Sequence, residues 1–320
     1  MQRWLAGHFL FAAISASACE LTEVTLVESD DVVIVEALLQ LHPGLTPGNE
    51  RALMRVFLHR TLRPDGSADA VPGAVVRVES GRGGWVFDIP EIEASECAVV
   101  TPELGTGTCH GLSIGPGVIA PGDIAELRID FPADRSVRAT SSIPGPFDLL
   151  RPQVDHCALP PKQNFEITWS VASGAQAYIS ETTISGLDAA LEPLGIDVEH
   201  EPLRLTGLSV SSTDTVVVYP SQLGIFSRTE IERDLAAELR EGLPQGAEAE
   251  VAIAAVDRNF VNWARGQSFN PTGLVRVPSV IGDGTGFFGS AVVRVFSLET
   301  GTAPSTELPP CAPPAREQLL

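Results

Sequence analysis

The chain reads as mainly β: two antiparallel β-sandwich domains of the immunoglobulin or fibronectin III kind, with two short helices in the second. Three observations carry this. The 320 residues include 29 Gly and 25 Pro, and between these breakers lie short runs rich in Val, Ile and Leu, the pattern of many strands joined by many turns. Hydrophobic residues make up 44% but aromatics only 6%, so the core is built chiefly from aliphatic side chains. A chain of this length divides into about two domains, each large enough for its own core.

Taken in order, residues 1–18 form a signal peptide, 19–31 a tether, 32–145 an N-terminal sandwich, 146–163 a proline-rich linker, 164–299 a C-terminal sandwich with helical insertions, and 300–320 a proline-rich tail. The first eighteen residues, MQRWLAGHFLFAAISASA, place Arg3 before an apolar stretch running to Ile14. That stretch is too short to span a bilayer and reads as a secretory signal. Ala16, Ser17 and Ala18 directly before Cys19 resemble a bacterial lipobox, with Ala16 where Leu is usual. The resemblance implies cleavage before Cys19, acylation of its sulfur and new amino group, and durable membrane attachment, since one acyl chain alone holds only marginally.

In the first domain VVIVEALLQL (Val32–Leu41), LMRVFLHRTL (Leu53–Leu62), AVVRVES (Ala74–Ser80), WVFDI (Trp85–Ile89) and IAELRIDF (Ile124–Phe131) are strand-length runs. Pro64-Asp65-Gly66, Gly81 to Gly84 and Pro121-Gly122-Asp123 mark turns between them, because these residues supply the φ angles that turns demand. Five prolines between Ile143 and Pro161 mark the domain boundary. The second domain opens with FEITWSVASGAQAYIS, in which Trp169 and Tyr178 lie on strands either side of a Gly/Ala turn. This resembles the B and C strands of fibronectin type III domains, where the indole fills the centre of the sandwich.

Two helices follow. Thr229 and Glu232 form a capping box before Ile231, Leu235 and Leu239, and Gly242 with Pro244 stops that helix. Asp257 caps RNFVNWAR, whose Phe260 and Trp263 share one face, and Gly266 ends it. Those aromatics read as core; an exposed patch at Trp263 or Phe287 would instead mark an adhesive surface.

With Cys19 set aside, Cys97, Cys109, Cys157 and Cys311 remain, an even number suited to an oxidising compartment. Four cysteines permit three pairings. The favoured one joins Cys97 to Cys109 as a local loop staple and Cys157 to Cys311 as a clasp on the second domain. Zinc is disfavoured, since no CxxC or close His/Cys spacing occurs.

Composition also bounds partners. The 41 acidic and 21 basic residues give a formal charge of −20. No Lys/Arg cluster could neutralise a row of phosphates, so nucleic acid is not an expected partner. The acidity reads as a soluble, self-repelling surface.

Motifs that resemble catalytic signatures lack their context. Gly111 to Gly115, GLSIG, matches the nucleophile elbow around Ser113, but Pro116-Gly117 forbids the helix that must follow. His110, His156 and His200 fall in apparent loops, and no histidine pair has metal-ligand spacing. Gly284, Gly286 and Gly289 spell G-x-G-x-x-G. A dinucleotide fingerprint needs a helix after the glycines, whereas AVVRVF follows here. The glycines are therefore architectural: Asp283-Gly284 and Gly286 make turns at positive φ, Gly289 relieves a clash beside Phe287 and Phe288, and the last strand begins at Ala291.

The succession of Cys19, VVIVEALL, GAVVRVES, PGDIAELRIDFPADRSVRATSSIPGP, VDRNFVNWAR and VIGDGTGFFGSAVV resembles an uncharacterised family of bacterial envelope lipoproteins. Members carry D-x-N-[FY]-x-x-[YW] before N-[IL]-x-G-G-x-G-x-F-G; Val280 and Asp283 depart from the second pattern. Such proteins are often encoded near TonB-dependent outer-membrane receptors, which implies an outer-membrane location and a receptor as partner. The resulting expectation is a lipid-anchored, non-enzymatic binding or accessory component with no cofactor and no metal. The alternatives are a surface hydrolase, glycosidase or protease, with a site not visible in sequence, and a structural or adhesive module.

Overall fold

The computed structural model describes residues 31–43, 51–61, 69–97, 107–209, 211–222, 233–266, 277–301 and 308–312. Its strands are β1 (Val33–His42), β2 (Arg51–Arg60), β3 (Val75–Ser80), β4 (Val86–Ile89), β5 (Glu91–Ile92), β6 (Thr108–Ile114), β7 (Ile124–Phe131) and β8 (Arg135–Ser142). They continue with β9 (Leu149–Arg151), β10 (His156–Leu159), β11 (Phe165–Trp169), β12 (Ala177–Ser185), β13 (Leu203–Leu208), β14 (Val216–Tyr219), β15 (Glu248–Val256), β16 (Val280–Gly282) and β17 (Thr285–Thr300). The helices are α1 (Leu187–Leu191), α2 (Arg233–Glu241) and α3 (Arg258–Gly266).

The fold is mainly β and sandwich-like. A nine-stranded sheet runs β13-β12-β15-β17-β1-β2-β6-β5, with β10 added to β17. Alternation along its strands sends one set of side chains inward, as period-two geometry requires. Val33, Val35, Ala37, Leu39 and Leu41 of β1 share a core with Val76 and Val78 of β3 and Leu127 and Ile129 of β7. These last belong to a five-stranded sheet, β16-β8-β7-β3-β4. Further along, Tyr178, Val251, Ile253 and Phe296 of the large sheet pack in the same core with Phe165, Ile167 and Trp169 of β11 and Tyr219 of β14. That layer is the three-stranded sheet β14-β11-β9.

β17 changes the expected picture in two ways. The sequence predicts antiparallel sheets, yet β17 pairs in parallel with β1 along Ile34↔Thr285 to Leu41↔Val292, and with β10 along His156↔Ser297 to Leu159↔Thr300. A parallel pair needs a long crossover, and here almost the whole chain supplies it. The second change concerns the boundary. The stretch expected to be a bare linker carries β9 and β10, both paired into sheets, and its Phe147 is buried. One large sheet and one core therefore run across the expected division, because β17 pairs with β1 at its start and with β15 from Ala291 to Glu299.

The helices fill the remaining gaps. α2 places Leu235 and Leu239 in the main core, and Lys162 pairs with Glu238 beside them. The Thr229 and Glu232 capping box falls outside the described residues. α3 lies on the opposite face of the large sheet, where Phe260, Val261 and Ala264 pack with Leu38, Ala177, Ile179, Phe287 and Val293. α1, five residues long, is an addition to the two helices read from sequence.

Candidate functional site

The inward row of β17 reads Phe288, Ser290, Val292, Arg294, Phe296, Leu298, with all six buried. Two of the six are polar, and burying a polar group costs free energy unless it is bonded. Both are satisfied, and both mark where the elements meet.

At the first, Ser141 of β8 bonds Asp257 Oδ2 at 2.8 Å and Ser290 Oγ at 2.6 Å. Asp257 Oδ1 accepts the Phe260 N–H at 2.9 Å and the Ser290 N–H at 3.2 Å. Asp257 ends β15 and caps α3, as its sequence position predicts, because a short carboxylate can reach the orphan N–H groups of a first helical turn. Asn259 Nδ2 donates to the carbonyls of Thr140 at 2.8 Å and Phe288 at 2.9 Å. Burial pushes the Asp257 carboxyl above its ordinary value, while bonds from Phe260, Ser141, Ser290 and Asn259 pull it back. With both oxygens occupied and 3% of the residue exposed, Asp257 is a joint between α3, β8 and β17.

At the second, Arg294 is 9% exposed. Its Nε donates to the Phe147 carbonyl at 2.8 Å, Nη1 to the Pro43 carbonyl at 2.7 Å, and Nη2 to Asp148 Oδ1 at 3.0 Å. The guanidinium fork suits such divergent acceptors. It closes the seam between β1 and β10, which follow one another along the same edge of β17.

The glycine segment sits in this framework as architecture. Gly286 has φ +129, and a Cβ there would run into the Val35 carbonyl across the parallel ladder. At Gly289 a Cβ would come within 3.0 Å of Phe260 Cβ, so this glycine admits α3 onto the sheet. Three details differ from expectation. Besides Gly286, positive φ falls on Gly282, at φ +125 and the end of β16, whereas Gly284 does not have positive φ. Gly289 faces Phe260 rather than serving Phe287 and Phe288. The last strand begins at Thr285, so the glycines lie within it; no helix follows and no anion cradle forms.

Trp263 stacks on Phe287 with centroids 4.5 Å apart, and Phe260 meets both rings edge-on. Phe260 and Phe287 are buried and Trp263 is half-buried, so this group is core rather than an exposed adhesive patch. Trp169 and Tyr178, read together from sequence, lie on strands of different sheets and touch edge-to-face at 5.3 Å. The Tyr178 hydroxyl accepts the Ala172 N–H at 2.7 Å, which holds the turn between them.

Ser113 is an exposed residue inside β6, and turns follow the strand; the strand–elbow–helix geometry is not formed there. His156 and His200 are exposed as expected, although His156 opens β10 rather than lying in a loop. His110 is not: it belongs to β6 and is 3% exposed. Among the described residues no group of three His, Cys, Asp or Glu could hold a metal ion. Cys97 is bonded to Cys109 and Cys157 to Cys311. The second bond pins the chain near its end onto β10, where Cys311 N donates to the Ala158 carbonyl at 3.0 Å and Ala158 N to that of Pro309 at 2.9 Å. Cys19 lies outside the described residues.

Comparisons with known proteins add little. No family model and no curated protein matches the chain. Among solved structures, a crystal structure of Dpr11 IG1 bound to DIP-gamma IG+IG2 aligns at 12% identity over 85% of this chain and 100% of that one, with TM-score 0.20. A crystal structure of DIP-gamma IG1+IG2 aligns at 8% identity over 84% and 99%, with TM-score 0.18.

Proposed function

We propose that this is a lipid-anchored envelope protein acting as a non-enzymatic binding or accessory component, beside an outer-membrane receptor. The observation that carries the reading is Ala16-Ser17-Ala18-Cys19 after a short apolar stretch with Arg3 before it. Two further features support it. All four cysteines of the described region are in disulfides, which persist in exported proteins and are rare in reducing compartments. The buried polar groups of the two junctions hold elements together and are closed to substrate. The link to a receptor comes from the family resemblance alone.

Metabolic labelling with an acyl probe tests the anchor. Labelled protein in the wild type and none in Cys19→Ala is the expected result, and label retained by the variant removes the anchor. Protease accessibility on intact cells then assigns the side of the membrane.

A further inference from the structure

β4 is the edge strand of the five-stranded sheet and β5 the edge strand of the nine-stranded one. The chain passes from one to the other through a single residue, Pro90. His110 holds this corner from inside: its Nδ1 lies 3.2 Å from the Ile89 carbonyl, while the neighbouring Gly111 N–H donates to the Pro90 carbonyl at 2.9 Å. A ring nitrogen facing a carbonyl must carry the proton, so Nε2 is the bare nitrogen of the neutral ring. Nε2 is buried and meets no polar partner. A second proton would therefore place a cation where nothing accepts its N–H, in a site 3% exposed.

The surroundings do little to help such a cation. Glu91 on β5, in register with His110, is the charged group whose field reaches the ring. Arg55 on β2 is in register with Gly111, on the other face, and is bonded to Glu96. Asp88 on β4 is exposed and bonded to Arg77. Burial is the largest influence on the imidazole and holds it below its ordinary value of 6.5, against the smaller opposing effects of the Ile89 bond and Glu91. The sign follows: the neutral folded form is favoured at neutral pH, and stability is lost as pH falls below 6.5.

We propose that the corner around Pro90 is an acid-released latch: protonation of His110 detaches β5 from β6, while the Cys97–Cys109 disulfide keeps the freed strap tethered. β5 pairs through only two residues, Glu91↔His110 and Ile92↔Cys109, and the packing of Ile92 on Phe57 and the Arg55–Glu96 pair are what release must overcome besides. Release leaves the edge of β6 unpaired, and an unpaired edge is a template for another strand.

Hydrogen exchange on the full chain tests this, with rates corrected for intrinsic pH dependence. Between about pH 7.5 and pH 5, residues 86–97 and 108–114 should lose protection by roughly tenfold or more while β7 and β15 keep theirs. His110→Gln should remove that change, and His42→Gln, on the other face of the sheet, should leave it in place. If His110→Gln does not fold, NMR titration of the wild type decides: the imidazole of His110 and the amides of Ile92 and Gly111 should move with one midpoint. Protection that ignores pH, a change that survives His110→Gln, or amides that titrate apart from the ring would overturn the latch.

Discussion

The two halves of the large sheet solve the same packing problem with different side chains. Around β12, β15 and the end of β17 the core is aromatic: Phe147 and Trp169 meet Tyr178 edge-on, and Phe165 meets both Tyr219 and Phe296. Its tyrosine hydroxyls are bonded inside, Tyr178 by the Ala172 N–H and Tyr219 with Thr182. Around β1, β2 and β7 the core is a field of Val, Leu, Ile and Met54, in which Trp85 and Phe87 make a ring contact. The histidines divide the same way. His42, His59 and His110 are partly or fully buried in the first half, while His156 and His200 are exposed in the second. The lesson is that the aromatic half depends on large individual side chains, and the aliphatic half on many small ones packed around buried imidazoles.

Truncation at the centre of the aromatic half should have the largest effect. Trp169→Ala removes one of the two rings that meet Tyr178 edge-on and opens a cavity beneath β11, and we expect a loss of roughly 3–5 kcal/mol in urea unfolding. Trp169→Phe should cost markedly less, because the indole N–H is buried without an acceptor and its removal forfeits no bond. Equal costs for the two variants would mean that the nitrogen has an unrecognised partner.

Arg294→Ala comes next and tests whether the halves are coupled. Removing the guanidinium strands the Phe147 and Pro43 carbonyls, and about 3 kcal/mol is expected. The Asp148 contact adds little, since that carboxylate is 77% exposed. Calorimetry should also show the single transition broaden or split, which a loss confined to one half would not produce.

The difference between the halves was partly legible in the sequence. Val33–His42 and Ile124–Phe131 were readable because apolar residues alternate or run on between turn signals. Trp169 and Tyr178 were readable because a Gly/Ala turn separates them. Asp257 could be read as a cap from its place before RNFVNWAR. Its partners could not: Ser141 and Ser290 are small polar residues on strands, which read as solvent-facing until tertiary contact buries them. β8, RSVRATSS, offers only Val137 and Ala139 to the core and has no hydrophobic signature. β6, TCHGLSI, mixes polar residues and glycine, so His110 reads as part of a loop. The parallel pairing of β1 with β17 joins segments at opposite ends of the chain and leaves no local trace.

Acid should separate the halves more gently. Burial, reinforced by Arg51, lowers the His42 imidazole from 6.5 to about 4. A lowered histidine costs stability as pH falls through that window. Asp257 runs the other way: its raised value means that its cost grows as pH rises from 3.8. Urea unfolding followed between pH 6.5 and 4 should therefore weaken the β1–β2 region, and His42→Gln should flatten the slope. A slope unchanged by that variant would assign the acid sensitivity elsewhere.

The smallest expected effect is a gain. The β7–β8 connection holds Ala133 at φ 66 and Asp134 at φ 55, in the left-handed region where an L side chain crowds the following carbonyl at a cost of roughly 1–2 kcal/mol. Ala133→Gly removes that crowding but gives the unfolded chain more freedom, which takes back about 0.5–1 kcal/mol. A net gain of about 0.5 kcal/mol should appear as a small rise in the urea midpoint with an unchanged slope. Because the turn belongs to the five-stranded sheet of the aliphatic half, the gain should add independently to the loss from Trp169→Ala. A double variant that departs from additivity would show that the two halves share more than β17.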